Sequence, residues 1–278
     1  MSIAGGFPQA VYRAGDLGCD CLQVFTKNRN QWRGRPIGTQ EAQQFKEALS
    51  QTGVAHPLAH DSYLINLASP DKSLWRKSIR ALIAELRRAD RLGIPFLVAH
   101  PGAYIEGKEA AGLRRVALAL DAVHAQTHAI RSICLLETTA GQGTSLGWKF
   151  EHLAAILDAV KDPDRLGVCF DTCHVFAAGY PLHPKAKYLA TIDALQSAVG
   201  LKRIKAFHLN DSSRGLGSRV DRHEHIGRGS MGLGPFRWLL NDPRFRAVPM
   251  YLETPKGEEN GEDLDRVNLA TLRRLCKG

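Results

Sequence analysis

Three observations predict a (β/α)8 TIM-type barrel for this 278-residue sequence. Short apolar runs alternate with amphipathic stretches of helical period along the whole chain, which is the pattern of parallel strands joined by crossover helices. The length suits the roughly 250 residues that one closed barrel takes. Six consecutive apolar runs end in a histidine or an acid, and strand ends are where such barrels keep their chemistry. One barrel domain over 1–278 is expected.

The chain opens with a helix from Pro8 to Leu17 and the strand Cys21 to Phe25. A polar loop from Thr26 to Gly38 leads to a helix that Thr39 caps and Gly53 ends. After the strand Val54 to His60, Ser69-Pro70-Asp71 supplies a cap, a proline for the first helical position and an early acid, starting a helix that runs to Gly93. The strand Pro95 to His100, the helix Glu106 to Ala129, the strand Ser132 to Thr138 and the helix Lys149 to Val160 continue the alternation. Val168-Cys169-Phe170-Asp171 reads as a fully buried parallel strand. A helix from Lys185 to Val199, the strand Ile204 to Asn210, a helix from Pro235, the strand Met250 to Glu253 and the helix Gly261 to Cys276 complete the series. Eight helices meet only seven strands, because the chain begins on a helix where a first strand should stand. The expectation is therefore a barrel whose first strand is missing from the sequence, which starts late.

Composition narrows the class. Apolar residues at 44% and charged residues at 23% are those of an ordinary core, which argues against disorder. No apolar run reaches the roughly 18 residues a membrane span needs, and no signal peptide is evident, so a cytoplasmic location is expected. The six cysteines form no regular framework and fall mostly in strands, as reduced thiols packed like small hydrophobes would. A net charge of +9 favours a polyanionic partner.

His60, His100, Glu137, Asp171, His208 and Glu253 close six successive strands, so all reach one rim. His174 follows Asp171, and the loop after His208 carries Asp221 and His223, two apart and so on one side of an extended segment. Taken singly, His60 or His100 would suit a hydrogen-bonded cleft histidine, and Glu137 or Glu253 could pair with Lys149 or Lys256. Their joint placement points to metal. Imidazoles and carboxylates without thiolate suit zinc, with manganese or iron as alternatives, and nine donors are accounted for by three ions sharing one or more carboxylates.

Lesser signals need no such site. Gly227, Gly229 and Gly232 match G-x-G-x-x-G but follow no strand directly, so they shape a loop rather than a dinucleotide site. Cys173 adjoins two proposed ligands whose set is already full, and Cys169 reads as core. His56, His124, His128, His152, His183 and His225 show no pattern beyond surface or core roles. Basic residues with amides and one aromatic in Lys27-Asn28-Arg29-Asn30-Gln31-Trp32-Arg33-Gly34-Arg35, together with Arg214, Arg219, Arg222 and Arg228, suit contact with a phosphate backbone from the same rim. Tyr63-Leu64-Ile65 is an apolar tip able to wedge into a base stack or to anchor its own loop.

The segments FTKNRNQW, HDSYLINLASP, HPG, ETTAGQG, GVCFDTCHVFAAGY, HLND, GSRVDRHEHIG and LET together resemble endonuclease IV, the zinc-dependent apurinic/apyrimidinic endonuclease family, in family order from about Ser2 to Glu253. The resemblance implies a barrel with three zinc ions per chain. His60, His100 and Glu137 would hold the first, with Glu137 bridging to a second held by Asp171, His208 and Glu253. His174, Asp221 and His223 would hold the third. It further implies a monomer that hydrolyses the phosphodiester 5′ to an abasic site in double-stranded DNA, leaving a 3′-hydroxyl, and that cleans blocked 3′ ends as a 3′-phosphatase and phosphodiesterase. Glu137 and Glu253 would be catalytic. Arg29, Asn30, Tyr63, Leu64 and Arg222 would contact DNA, with Tyr63 and Leu64 on the inserting loop.

This sequence departs from the family pattern in lacking the first strand and its terminal histidine. It also has Asn30 where an arginine entering the DNA stack is expected, and Thr138 in place of an asparagine after Glu137. Two other functions fit parts of the sequence. A sugar isomerase or epimerase on the same barrel would use one or two ions and would leave Asp221, His223 and the basic loops without a task. A non-catalytic binder of damaged DNA would keep the arginines and need no metals.

Overall fold

The computed structural model describes residues 1–276, so the last two positions of the expected domain lie outside the described residues. Contacts divide the chain into one unit of 1–137 with 155–167 and another of 138–154 with the chain from 168 onward.

In the first unit, α1 (Phe7–Asp16), β1 (Cys21–Phe25), α2 (Thr39–Thr52), β2 (Ala55–His60), α3 (Lys72–Leu92), β3 (Phe96–Ala99), α4 (Glu109–Gln126) and β4 (Ile133–Glu137) alternate as expected. The four strands pair in parallel in chain order, with Phe25 opposite His60, His60 opposite Val98 and Ala99 opposite Leu136. This register sets His60, His100 and Glu137 at the carboxyl ends of neighbouring strands. No strand precedes α1 among the described residues; the Met1 ammonium donates to the Gln23 carbonyl of β1.

Across the division in sequence come α5 (Phe150–Ala159) and β5 (Leu166–Asp171). The second unit then holds α6 (Thr172–Ala178), α7 (Lys185–Ala198), β6 (Ile204–His208), the hairpin β7 (Asp211–Ser212) and β8 (His223–Glu224), and α8 (Gly234–Leu240). It ends with β9 (Met250–Tyr251), the hairpin β10 (Glu258–Glu259) and β11 (Glu262–Asp263), and α9 (Leu264–Leu275). All six residues of β5 are buried, which is why its sequence shows no alternation. β5 and β6 pair with Phe170 opposite Phe207 and Asp171 opposite His208, and β6 pairs in parallel with β9. Phe170, Phe207 and Phe245 pack in series with ring centroids 5.6 and 4.8 Å apart. Each such side chain contributes about 1.5–3 kcal/mol by leaving water.

Several helix starts differ from the sequence reading. Gly38, not Thr39, caps α2, and the Thr39 hydroxyl instead accepts a bond of 2.6 Å from Arg91. Asp71, not Ser69, caps α3, accepting from the Leu74 N–H at 2.7 Å. The seven-residue α6 was not expected; it forms because Asp171 accepts from the His174 N–H at 2.8 Å and so caps it. α9 begins at Leu264, three residues later than expected, since Glu258 to Asp263 turn back as a hairpin. All six cysteines are free thiols, as expected. No helix among the described residues is long and apolar enough to cross a membrane.

Candidate metal centre and DNA-facing loops

In the first unit, His60 Nε2 and His100 Nε2 lie 3.2 and 2.9 Å from the same Glu137 oxygen, Oε2. His60 Nδ1 is 2.9 Å from the Asp61 carbonyl, which can only accept, so Nδ1 carries a proton and Nε2 is the nitrogen turned to Glu137. Two imidazole nitrogens and a carboxylate oxygen converging at that distance are a donor set that a divalent cation would satisfy. Glu137 is fully buried, so the charge cannot be met by water. Behind His60, burial pushes the Asp61 carboxyl well above the usual carboxylate range.

The second unit repeats this arrangement with more groups. His174 Nδ1 donates to the Thr138 carbonyl at 2.8 Å and His223 Nδ1 to the Glu253 carbonyl at 3.2 Å, which turns the two Nε2 atoms toward one another, 3.3 Å apart. Asp221 faces this pair, Oδ2 3.2 Å from His174 Nε2 and Oδ1 3.4 Å from His223 Nε2. His208 Nδ1 lies 3.3 Å from Glu253 Oε2 and 3.9 Å from Asp171 Oδ2. Two imidazole nitrogens turned toward one another, with a carboxylate beside them, suit a divalent cation. Within each unit one group of three, His60 with His100 and Glu137 or Asp171 with His174 and His223, keeps its donor atoms within 4.8 Å of one another.

Neutral polar residues, to which the sequence assigned no positioning role, hold these groups. Asn210 is buried, donates to Asp171 Oδ2 at 2.6 Å and accepts from the Glu253 N–H at 2.9 Å, fixing two acids at once. Thr138 takes up its position after Glu137 usefully: its hydroxyl accepts from the Asp171 N–H at 2.9 Å while its carbonyl orients His174. The glycine motif has a structural task. The N–H groups of Gly227 and Gly229 each donate to Asp211 Oδ2 at 3.0 Å, with Ser212 and Met231 donating to Oδ1, so the loop wraps a buried carboxylate. A Cβ on Gly229 would stand 2.4 Å from the Ser212 carbonyl oxygen. Gly229→Ala is accordingly expected to lower stability by about 1–3 kcal/mol, read from the denaturant midpoint. The Cys173 thiol donates to the Arg222 carbonyl, and burial pushes its pKa up to about 12.

The basic loops divide into free and committed cations. Arg29 lies over Tyr63 and Phe25, 5.6 and 5.9 Å from the ring centroids, and Tyr63 is 52% exposed beside the half-buried Leu64. Asn30 and Arg222 are exposed, with Arg222 Nη1 donating to the Asp221 carbonyl at 2.6 Å. Lys27 does not: it is buried, paired with Glu85 at 2.6 Å and bonded to the Gln31 carbonyl at 2.7 Å. Arg228 forms a two-pronged pair with Glu259 at 2.9 and 2.6 Å, and Arg35 pairs with Glu41. Arg219 lies 3.7 Å over the Trp148 ring with its backbone at φ 53, and the Asp221 N–H donates to Gln142 Oε1. Trp148 thus steadies the segment that carries Asp221. Arg219→Ala is expected to weaken metal binding at His174, Asp221 and His223 by about 10–100-fold in a competitive zinc titration, the usual cost of removing an outer support.

Strand-end histidines and acids on a parallel β/α scaffold define an enzyme of the xylose isomerase-like TIM barrel family, whose pattern matches residues 11–275. The chain is 47% identical over 278 residues to the probable endonuclease 4 of Citrifermentans bemidjiense, covering 100% of this chain and 98% of that one. The crystal structure of endonuclease IV from Thermus thermophilus superposes with a TM-score of 0.87 at 38% identity, covering 99% of this chain and 96% of that one. A D-psicose 3-epimerase matches at a TM-score of 0.69 and 16% identity over 98% of this chain and 94% of that one, a likeness of fold alone. The chain belongs to the endonuclease IV family, and is thereby a DNA-repair nuclease on a TIM barrel.

Proposed function

We propose that this nuclease is zinc-dependent, hydrolyses the phosphodiester 5′ to abasic sites in duplex DNA to leave a 3′-hydroxyl, and removes blocking groups from 3′ ends. The observation that supports the metal requirement is the convergence of His174 Nε2 and His223 Nε2, 3.3 Å apart, with Asp221 alongside. The residues fit three ions: His60, His100 and Glu137 as one set, Asp171, His208 and Glu253 as a second, His174, Asp221 and His223 as a third. Bound there, zinc ions would supply positive charge to the phosphate and acidify water at neutral pH. One barrel domain acting as a monomer is the form proposed, in the cytoplasm where chromosomal DNA lies.

The chain's own groups account for the other steps. Glu253 is gripped through its backbone, its N–H on Asn210 and its carbonyl under His223 Nδ1, so its partly exposed carboxylate is aimed without needing to be held by substrate. It would orient the attacking water and take its proton, a role typically worth 10²–10⁴-fold. Arg29, Asn30 and Arg222 would meet phosphates. Tyr63 and Leu64 would fill the space left in the base stack when the abasic nucleotide swings out, a cheap motion because no base has to be unstacked.

Incubation of the purified protein with an abasic-site duplex, with and without chelator, tests the reading. Incision lost to chelator and restored by zinc is the expected result. Glu253→Gln should reduce turnover by about 10²-fold while leaving DNA affinity near that of the parent. One ion per chain with no incision would support a sugar isomerase or epimerase instead, and chelator-resistant DNA binding without cleavage would support a non-catalytic binder.

A further inference from the structure

The outer face of α3 carries charge that the fold does not use. At 100° per residue, Lys72, Arg76, Arg80, Arg87, Arg91 and Lys77 fall on one arc of the helix, and all six are exposed. Ser73, Ala84, the buried Ile83 and, near the carboxyl end, Asp90 share that arc; its first half, from Lys72 to Arg80, holds no carboxylate. The two arginines near the carboxyl end are accounted for, since Arg87 donates to the Gln126 carbonyl, Arg91 donates to Thr39, and cations suit the negative end of a helix. The first half is different. Lys72, Arg76 and Arg80 stand at i, i+4 and i+8, where like charges repel, and on the half of the helix whose dipole disfavours them. The first turn itself holds no acid, the carboxylate at that end being the cap Asp71, which accepts from the Leu74 N–H, and among the described residues none of the three cations has an ion-pair or hydrogen-bond partner.

That half of α3 adjoins the loops proposed to meet DNA. Lys77 Nζ lies 4.1 Å over the Trp32 ring of the basic loop, and the Ser78 hydroxyl accepts from the Asn66 N–H just beyond Tyr63 and Leu64. Lys72 to Arg80 extend for about 12 Å along the axis, the rise of three to four nucleotides of one strand. We propose that Lys72, Arg76 and Arg80 form a track for the phosphate backbone of the duplex flanking the lesion, outside the metal centre. The inference rests on DNA being the substrate. It explains an arrangement that costs helix stability: the cations are kept for a polyanion that neutralises them.

The test uses the metal-loaded protein and an undamaged 30-base-pair duplex, which gives nothing to cleave, with affinity read by fluorescence anisotropy from about 50 to 200 mM salt. Each phosphate contact contributes about 0.9 to the slope of log K against log salt, so the triple variant Lys72→Gln/Arg76→Gln/Arg80→Gln should bind with a slope flatter by about 2.7. Over that fourfold salt range the parent should then lose about 40-fold more affinity than the variant. A control that removes the same charge from exposed positions elsewhere, Lys185→Gln/Lys187→Gln/Lys202→Gln, should keep the parent's slope. The α3 variant should melt no lower than the parent, because it relieves repulsion, which separates loss of contact from loss of fold. A folded variant with the parent's slope and affinity overturns the proposal, as does a control that flattens the slope equally. If the parent binds duplex as expected but never incises an abasic site, the functional reading fails while the track stands.

Discussion

Glu137→Gln is expected to lower turnover of an abasic-site duplex by on the order of 10³-fold or more, with DNA affinity little changed. The amide keeps the shape of the carboxylate but not its charge. His60 Nε2 and His100 Nε2 both face one oxygen of Glu137, and that residue is fully buried at the end of β4. With a neutral amide in its place, the two imidazoles remain but lose the anion that makes a divalent cation favourable there. Several kcal/mol of charge stabilisation at the phosphate would go with the ion, and each 1.36 kcal/mol is about tenfold in rate. Metal analysis of the same preparation should show less than the parent's zinc content. A variant with full zinc and the parent's kcat would remove Glu137 from the site.

The strand-end residues were legible in the sequence because a parallel barrel strand announces itself twice, by an apolar run and by the polar residue on which it stops. β2, β3, β4, β5 and β6 each stop at or within one residue of the histidine or acid read from the sequence. The Asp171 and His174 spacing was also legible as two ligands, although its local cause, a carboxylate capping a short helix, was not. Partners distant in the chain were the hidden part. Lys27 reads as one more cation in a basic loop until Glu85 of α3 is found beside it, and Arg228 reads as a phosphate contact until Glu259 is found holding it. Asn210 and Thr138 carry no charge pattern at all, yet each fixes the geometry of two proposed ligands. Sequence reveals which groups can bind charge; only packing reveals which are already satisfied.

Lys27→Met is expected to destabilise the protein by about 3–5 kcal/mol, because it strands the Glu85 carboxylate in the interior. Lys27 and Glu85 are 5% and 1% exposed in their side chains, and the Thr26 hydroxyl donates to the other Glu85 oxygen at 2.5 Å. For a chain of this size that is a fall in Tm on the order of 10 °C, measurable by calorimetry. Removing both charges together, as Lys27→Met/Glu85→Leu, should recover much of the loss, since apolar replacements of a buried pair are often neutral. Function should not recover with stability. Lys27 also donates to the Gln31 carbonyl, Arg88 donates to the Thr26 and Arg35 carbonyls, and Ser62 donates to the Arg29 carbonyl, so the loop bearing Arg29 and Asn30 is braced from beneath before DNA arrives. The double variant lacks the central strut, so a raised KM for abasic duplex with kcat near the parent value is the expected signature. Full recovery of both stability and KM would mean that the pair fills space and that the other three bonds suffice to shape the loop.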